Sequence, residues 1–142
     1  MGLADTLAAT TGTYFGSGDG IESGPFVARI VISSVPNGGV AIEYEATSRE
    51  QGVQHREHSL LSGGPDGRDR LYVAHSESPF VTELVASDVG AGRFEQPVAA
   101  GPYALTVVIE VPEPDRLTYA WWWAAAGEEP VEQSKADVRR RP

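Results

Sequence analysis

Apolar and polar residues alternate with a period of two along much of this chain. Val40, Ile42, Tyr44 and Ala46 fall on one face of their segment, and the residues between them fall on the other. This alternation is typical of a β-strand with one packed side and one side in water. The pattern recurs in Phe26-Ala28-Ile30-Ile32, Leu71-Val73-His75, Phe80-Thr82-Leu84, Tyr103-Leu105-Val107-Ile109-Val111 and Leu117-Tyr119-Trp121-Trp123. It predicts an all-β protein.

Clusters of glycine and proline separate these segments and predict tight turns. Pro36-Asn37-Gly38-Gly39 contains the Asn-Gly pair that favours a two-residue hairpin. Only residues 2–10 favour a helix, a short one with Leu3 and Leu7 on one side. The segments add up to about ten strands in a meander, and closing such a meander removes its exposed edges. We therefore predict a single domain over residues 1–142, a closed antiparallel up-and-down barrel with a short N-terminal helix.

Composition and charge narrow the classes of function. The chain of 142 residues has no cysteine and a formal net charge of −9. The lack of cysteine excludes disulfides, thiolate metal sites and thiol catalysis. An acidic surface repels phosphate backbones, so nucleic acid is not an expected partner. No apolar run approaches the length of a membrane span, and residues 1–10 do not resemble a secretory signal. We expect a cytoplasmic protein.

The segment Gly12-Thr13-Tyr14-Phe15-Gly16-Ser17-Gly18-Asp19-Gly20 resembles the opening strand of calycin barrels, the group that includes the fatty-acid-binding proteins, and in particular of the nitrobindin-like family. The similarity continues at His55-Arg56-Glu57, at Ala74-His75-Ser76 followed by Val81-Thr82-Glu83, and at Leu117-Thr118-Tyr119. The resemblance implies a ten-stranded barrel with a cavity. In nitrobindins, the cavity holds haem b on a histidine of the last strand, and the proteins bind nitric oxide or isomerise peroxynitrite.

The last predicted strand departs from that family. It reads Val131-Glu132-Gln133-Ser134-Lys135-Ala136-Asp137-Val138, with Ser134 at the position of the haem histidine. Serine cannot replace imidazole as a proximal haem ligand. We therefore expect no cofactor, and haem b stays an alternative that would need His55, His58 or His75.

The histidines do not predict a metal site. His55 and His58 are three residues apart, and odd spacing on a strand points two side chains to opposite faces. His55 and Glu57 share a face and form either an acid–base couple or a structural hydrogen-bonded pair. His75 alternates with Leu71 and Val73 and is expected to face inward. No catalytic residue is assigned, and His55 and Glu57 are the only candidates.

The string Trp121-Trp122-Trp123 is the most unusual feature of the sequence. Alternation places Trp121 and Trp123 on the face shared with Leu117 and Tyr119, where the indoles either line a pocket or fill the barrel. Trp122 points the other way, where it is expected to be exposed and could contribute to a homodimer.

Gly16, Gly18 and Gly20 also recur with a period of two. No apolar helix pattern follows them, so they are not a dinucleotide-binding loop. They favour a sharply bent strand or a close approach of the backbone to a ligand.

These observations favour a binding protein over an enzyme. We predict a barrel that takes a small, largely apolar molecule in its cavity without haem. The expected walls are Trp121, Trp123, Tyr119, Tyr44, Tyr103 and Leu105, and the expected polar anchors are Arg29, His55 and His75. Two alternatives stay open: a haem-b protein with nitrobindin chemistry, and a cofactor-free isomerase or cyclase that uses His55 and Glu57.

Overall fold

The computed structural model describes residues 2–97, 102–125 and 127–142. The described elements are α1 (Leu3–Ala9), β1 (Gly12–Gly20), β2 (Phe26–Val35), β3 (Gly39–Ser48), β4 (Gly52–Gly63), β5 (Asp69–His75), β6 (Thr82–Ala86), β7 (Arg93–Glu95), β8 (Tyr103–Glu113), β9 (Arg116–Ala125) and β10 (Val131–Arg140). The ten strands form a closed barrel in which each strand pairs antiparallel with its neighbours in the chain. The predicted fold class is confirmed.

Pairing between β1 and β10 closes the barrel. The two strands pair from Tyr14 opposite Arg140 to Gly20 opposite Ser134. Closure leaves no strand with unpaired backbone groups along its whole length, which removes the edges at which sheets aggregate. The ends of the chain therefore meet side by side in the barrel wall.

The predicted alternation matches the burial of side chains. The inward positions of β2 and β3 are all buried: Phe26, Ala28, Ile30, Ile32, Val40, Ile42, Tyr44 and Ala46. One predicted position is wrong. Phe80 precedes β6 and is 76% exposed, because the strand begins only at Thr82. The apolar core thus lies inside the barrel, as the period of two requires.

Helix α1 lies at one end of the barrel, which we call the closed end. Its two leucines, Leu3 and Leu7, are buried, and the helix contacts β2, β3 and β4. The opposite end, which we call the mouth, is where β1, β3, β5, β7 and β9 end and the even-numbered strands begin. The short N-terminal helix predicted from the sequence is confirmed.

The glycines of β1 permit close packing at the barrel seam. A Cβ atom on Gly16 would lie 2.0 Å from the backbone oxygen of Asp137, and one on Gly18 would lie 2.2 Å from the ring of Phe26. Both distances are far below van der Waals contact. The groups that approach Gly16 and Gly18 are the backbone of β10 and the ring of Phe26.

A β-bulge sets which residues of β4 face inward. His55 pairs with Ala46 and Val53 pairs with Thr47, so Gln54 is the extra residue. Because Ala46 and Thr47 are adjacent and point to opposite faces, His55 turns inward and Val53 outward. From this bulge onward, His55, Glu57 and Ser59 share the inner face.

Candidate functional site

A buried carboxyl group lies at the centre of the lumen. Glu57 is fully buried, and its oxygens accept four hydrogen bonds. Tyr119 Oη donates to Oε2 at 3.0 Å, Trp121 Nε1 donates to Oε1 at 3.0 Å, and Ser59 Oγ donates to Oε2 at 3.2 Å. His55 Nε2 lies 3.2 Å from Oε1. Such a buried carboxylate is tolerated because its lone pairs are satisfied.

His55 connects this buried carboxylate to the mouth. Its Nε2 faces Glu57, and its Nδ1 lies 2.7 Å from Oε2 of Glu77, which follows β5. Burial alone lowers the pKa of His55, but the hydrogen bonds and charges of Glu57 and Glu77 outweigh it and raise the pKa to about 9. The imidazole therefore holds its proton at neutral pH.

His75 shares the same glutamate. Its Nδ1 lies 3.1 Å from Glu77 Oε2, and its Nε2 is buried without a hydrogen-bond partner. Burial raises the pKa of Glu77, but hydrogen bonds to His55 and His75 outweigh that effect and lower it to about 2. Two imidazoles thus converge on one carboxylate oxygen at the mouth end of β4 and β5.

The aromatic residues of the inner face fill the middle of the lumen. Tyr44 and Tyr119 have ring centroids 5.1 Å apart, and Trp121 packs at 5.6 Å from His55 and 5.0 Å from His75. Burial and the charge of Glu57 raise the pKa of both tyrosines far above the ordinary value. Tyr44, Tyr119 and Trp121 are each no more than 4% exposed. Of the two alternatives left open for Trp121, the burial of its indole favours packing into the core over lining a pocket.

One layer closer to the mouth, the inward side chains of β8 and β9 are partly exposed. Trp123 and Leu105 are cross-strand neighbours on β9 and β8, and both are half-buried against the core. Large apolar side chains at the mouth-end segments are more than half exposed: Ile21, Val53, Phe80, Tyr103 and Val131. We call these five residues the rim.

Two predicted site residues are exposed. Arg29 is exposed between buried Ala28 and Ile30, so it points away from the interior and cannot anchor a ligand there. Tyr103 is 53% exposed at the start of β8 and belongs to the rim. The expectation for Arg29 is corrected, because it lies on the opposite face of its strand. Tyr103 pairs with Ala125 and so shares the face of Leu105 and Trp123 at the mouth.

Three cavities of the structure lie on the outer wall. Their volumes are about 630, 410 and 180 Å³. The largest of the three is bounded by C-terminal arginines: Arg139 and Arg140 pair with carboxylates, and Arg141 lies over the ring of Phe15. The smallest is lined by Tyr44 and Glu57 together with outward-facing residues such as His58.

The remaining residues singled out by sequence lie on the outer face. His58 is exposed and lies 3.5 Å from Glu43, so it does not share a site with His55. Trp122 is half-buried under Arg93, whose Cζ lies 6.0 Å from the indole centroid. The expectation that Trp122 is exposed is corrected, because the arginine covers part of the ring.

The inner face of β10 does not fit haem held by a histidine. Ser134, at the position that the family resemblance assigns to the ligand, pairs with Trp121 and Gly20. The indole of Trp121 occupies the space beside it and is tied to Glu57. The described residues of this strand thus offer no imidazole.

Sequence reasoning missed two members of this cluster. Glu77 lies in the turn after β5, where no periodicity applies, and only its position two residues after His75 hinted at contact. Ser59 is a small polar residue that faces inward on β4, two residues after Glu57. The fold brings His55 close to His75. The sequence analysis had considered His58 instead, because it is only three residues from His55.

The topology, the helix at one end and the single lumen define a calycin-like barrel. Three solved structures are similar to it. The structure of Rv2717c from M. tuberculosis has a TM-score of 0.73 at 19% identity, with 100% of this chain and 99% of that chain covered. The S-type phycobiliprotein lyase CPES from Guillardia theta has a TM-score of 0.60 at 14% identity, with 100% and 93% covered. A de novo designed fluorescence-activating β-barrel has a TM-score of 0.53 at 10% identity, with 96% and 98% covered.

At these identities the likeness shows the fold alone. No protein-family profile and no curated protein matches the sequence. Within residues 2–97, 102–125 and 127–142, no helix is both long and apolar enough to cross a membrane.

Proposed function

We propose that this protein binds a small, largely apolar molecule at the mouth of the barrel. The observation that carries the proposal is the distribution of exposure along the lumen. The middle is filled around Glu57, whereas the half-buried Trp123 and Leu105 and the exposed rim lie at one end. Exposed apolar groups gathered at one end of a protein are typical of a binding site.

The polar groups at the mouth would orient the ligand. His55 and His75 lie beside the edge of Trp121. The imidazole of His55 is fixed in place by two carboxylates, and the exposed carboxylate of Glu77 can accept a hydrogen bond from a ligand. An apolar surface with a few fixed polar groups is the composition that small-molecule sites use for affinity and orientation. A ligand with an apolar body and one hydrogen-bonding end suits this arrangement.

The similar structures are compatible with this use of the barrel. One is named a phycobiliprotein lyase, and another is named a fluorescence-activating barrel. The proposal requires no haem: β10 carries Ser134, rather than a histidine, at the position that the family resemblance assigns to the haem ligand. We also propose a cytoplasmic location. A homodimer through Trp122 is an expectation that the elution volume of the purified protein tests.

The test is the binding of an apolar fluorescent dye to the purified chain in the presence of a chelator. We expect one dye per chain, with native mass spectrometry showing the same stoichiometry. Trp123→Leu should weaken binding roughly tenfold, equivalent to about 1.4 kcal/mol. Trp122→Leu is the matched control, because it removes the neighbouring indole from the outer face. Absence of stoichiometric binding, or equal losses in the two variants, would contradict the proposal.

Proton transfer is a second candidate, favoured by the hydrogen bond between His55 and Glu57. Glu57 has no exposed surface and cannot touch a substrate. His55 would therefore act alone on the substrate, as a proton donor positioned by Glu57. Isomerase or cyclase activity that survives both His55→Ala and Glu57→Gln unchanged would exclude this role.

A further inference from the structure

Three potential metal ligands converge at the mouth. One ligand atom each from His55, His75 and Glu77 lies within 4.8 Å of the others. The residues come from the start of β4, the last residue of β5 and the turn that follows it. The fold, rather than a sequence motif, brings them together.

Two histidines share one carboxylate oxygen in this cluster, whereas a simple ion pair joins one cation to one anion. Nδ1 of His55 and Nδ1 of His75 approach the same oxygen, Glu77 Oε2, at 2.7 and 3.1 Å. His75 has no other partner, because its Nε2 is buried and unpaired. Two imidazole nitrogens and one carboxylate oxygen form the donor set that Zn²⁺ and similar divalent transition metals prefer.

The surroundings of His55 match the outer shell of a metal site. Its Nε2 faces the buried carboxylate of Glu57, which leaves Nδ1 directed at the cluster. Metal-bound histidines almost always donate their second ring N–H to a carboxylate or carbonyl, which fixes the ring and its tautomer. Tyr119, Trp121 and Ser59 hold Glu57 in turn. The ligand is thus oriented before any ion arrives.

The cluster is also accessible. The side chain of Glu77 is 51% exposed and that of His55 is 16% exposed. An ion can therefore reach the site from the mouth, and the glutamate on its turn can adjust to coordination distance. Three protein ligands leave a fourth position for water or for a donor atom of a bound molecule, which is the pattern of metal sites that act on ligands.

We propose that His55, His75 and Glu77 bind one divalent transition-metal ion of the zinc class, with Glu57 as the residue that positions His55. Binding releases the Nδ1 proton of His55 to solvent, because a coordinating imidazole nitrogen must be deprotonated. The open coordination position faces the mouth. The proposal does not rest on the organic ligand, because binding of the metal is measured on the chain alone.

The experiment is titration of the chelator-treated protein with Co²⁺ and then Zn²⁺, followed by calorimetry and by the visible absorption of Co²⁺. We expect one ion per chain and a Co²⁺ spectrum of a low-coordinate site that Zn²⁺ abolishes. His55→Gln, His75→Gln and Glu77→Gln should each weaken binding at least about tenfold. Glu57→Gln should weaken it by about 10- to 100-fold through loss of the outer-shell carboxylate.

The matched controls are His58→Gln and Glu43→Gln, which remove a histidine and a glutamate from the outer face of the same wall. Both should bind Co²⁺ like the unmodified chain. The proposal is overturned if the unmodified chain shows no saturable 1:1 binding, or if Glu77→Gln binds as tightly as His58→Gln. Circular dichroism confirms folding, and Glu77→Gln, in an exposed turn, keeps the test decisive even if the buried variants unfold. The dye titration in chelator tests the organic ligand separately.

Discussion

His55 Nε2 lies 3.2 Å from Glu57 Oε1, two residues further along the same strand, and this contact marks the boundary between the packed lumen and the mouth. On the inner side, Glu57 is surrounded by donors and has no exposed surface. On the outer side, His55 reaches Glu77 in an exposed turn. A fixed polar group in the core thereby controls the orientation of a group that a ligand or an ion can reach.

Glu57→Gln should destabilise the protein strongly. The carboxylate accepts bonds from four donors, and an amide would turn its NH₂ group toward some of them. The indole N–H of Trp121 cannot reverse its direction to compensate. Leaving a buried donor unsatisfied costs about 1–3 kcal/mol, and disrupting a buried charged network costs about 3–5 kcal/mol. Urea unfolding should therefore show a loss of at least about 2 kcal/mol.

The control for this variant is Glu43→Gln, in which the glutamate pairs with His58 on the surface. An exposed ion pair contributes only about 0–1 kcal/mol. If the two substitutions have equal effects, Glu57 is not the polar centre of the core.

Leu7→Ala should lower stability without affecting the mouth. Leu7 is 1% exposed under α1 at the closed end. Truncation of a buried leucine costs about 2–5 kcal/mol because it leaves a cavity. Thermal unfolding should shift downward while dye affinity stays unchanged below the transition. Exposed Ala8 provides the control, since Ala8→Ser should change stability by less than about 0.5 kcal/mol. Loss of dye affinity in Leu7→Ala would show that the two ends are coupled.

Gly18→Ala should destabilise the barrel seam. The new Cβ would lie 2.2 Å from the ring of Phe26 and 2.5 Å from the backbone oxygen of Lys135. Overpacking of this kind costs about 1–3 kcal/mol. Gly63→Ala, at the end of β4, is the comparison, because its Cβ would meet nothing closer than 4.0 Å. Chemical denaturation of the two variants should separate them by more than about 1 kcal/mol, and similar midpoints would argue against tight packing at Gly18.

Asp69→Asn should stabilise the protein at neutral pH. Burial raises the pKa of Asp69, the backbone N–H of Ala4 lowers it in part, and the charge of Asp5 raises it further. Because the folded pKa lies above the unfolded value, the penalty is absent below the unfolded pKa and grows as the pH rises through the folded pKa. The gain at pH 7 should stay below about 1 kcal/mol, since solvent screens a partly buried group.

Urea unfolding at about pH 3 and pH 7 checks this sign. The gain in stability should vanish at the lower pH, because Asp69 is mostly protonated there in both the folded and the unfolded protein. Glu22→Gln, at an exposed loop position, should show no such change between the two conditions. A less stable Asp69→Asn at pH 7 would mean that the charge itself is needed beside α1.

The sequence allowed most of the architecture to be predicted. Alternation in β2 and β3 predicted their buried faces, and the leucines at positions 3 and 7 predicted α1. These features are local, because the period of side chains along one strand decides which face is apolar. The shared inner face of His55 and Glu57 followed from the same rule.

The content of the lumen could not be predicted in the same way. Whether Trp121 lines a space or fills it depends on how far across the barrel Glu57 lies, which strand tilt and stagger decide. Glu77 was missed because it lies in a turn, where no alternation indicates direction. Arg29 was wrongly assigned to the ligand site because of its charge, although the alternation along β2 places it on the outer face.

The filled interior also has a kinetic consequence. In a barrel that encloses its ligand, exchange of the ligand requires two strands to separate or a loop to move aside. Here Tyr44, Tyr119 and Trp121 are buried below the mouth, so the ligand proposed above would lie against Trp123, Leu105 and the rim. Its residence time would then be governed by these contacts rather than by separation of strands in the barrel wall.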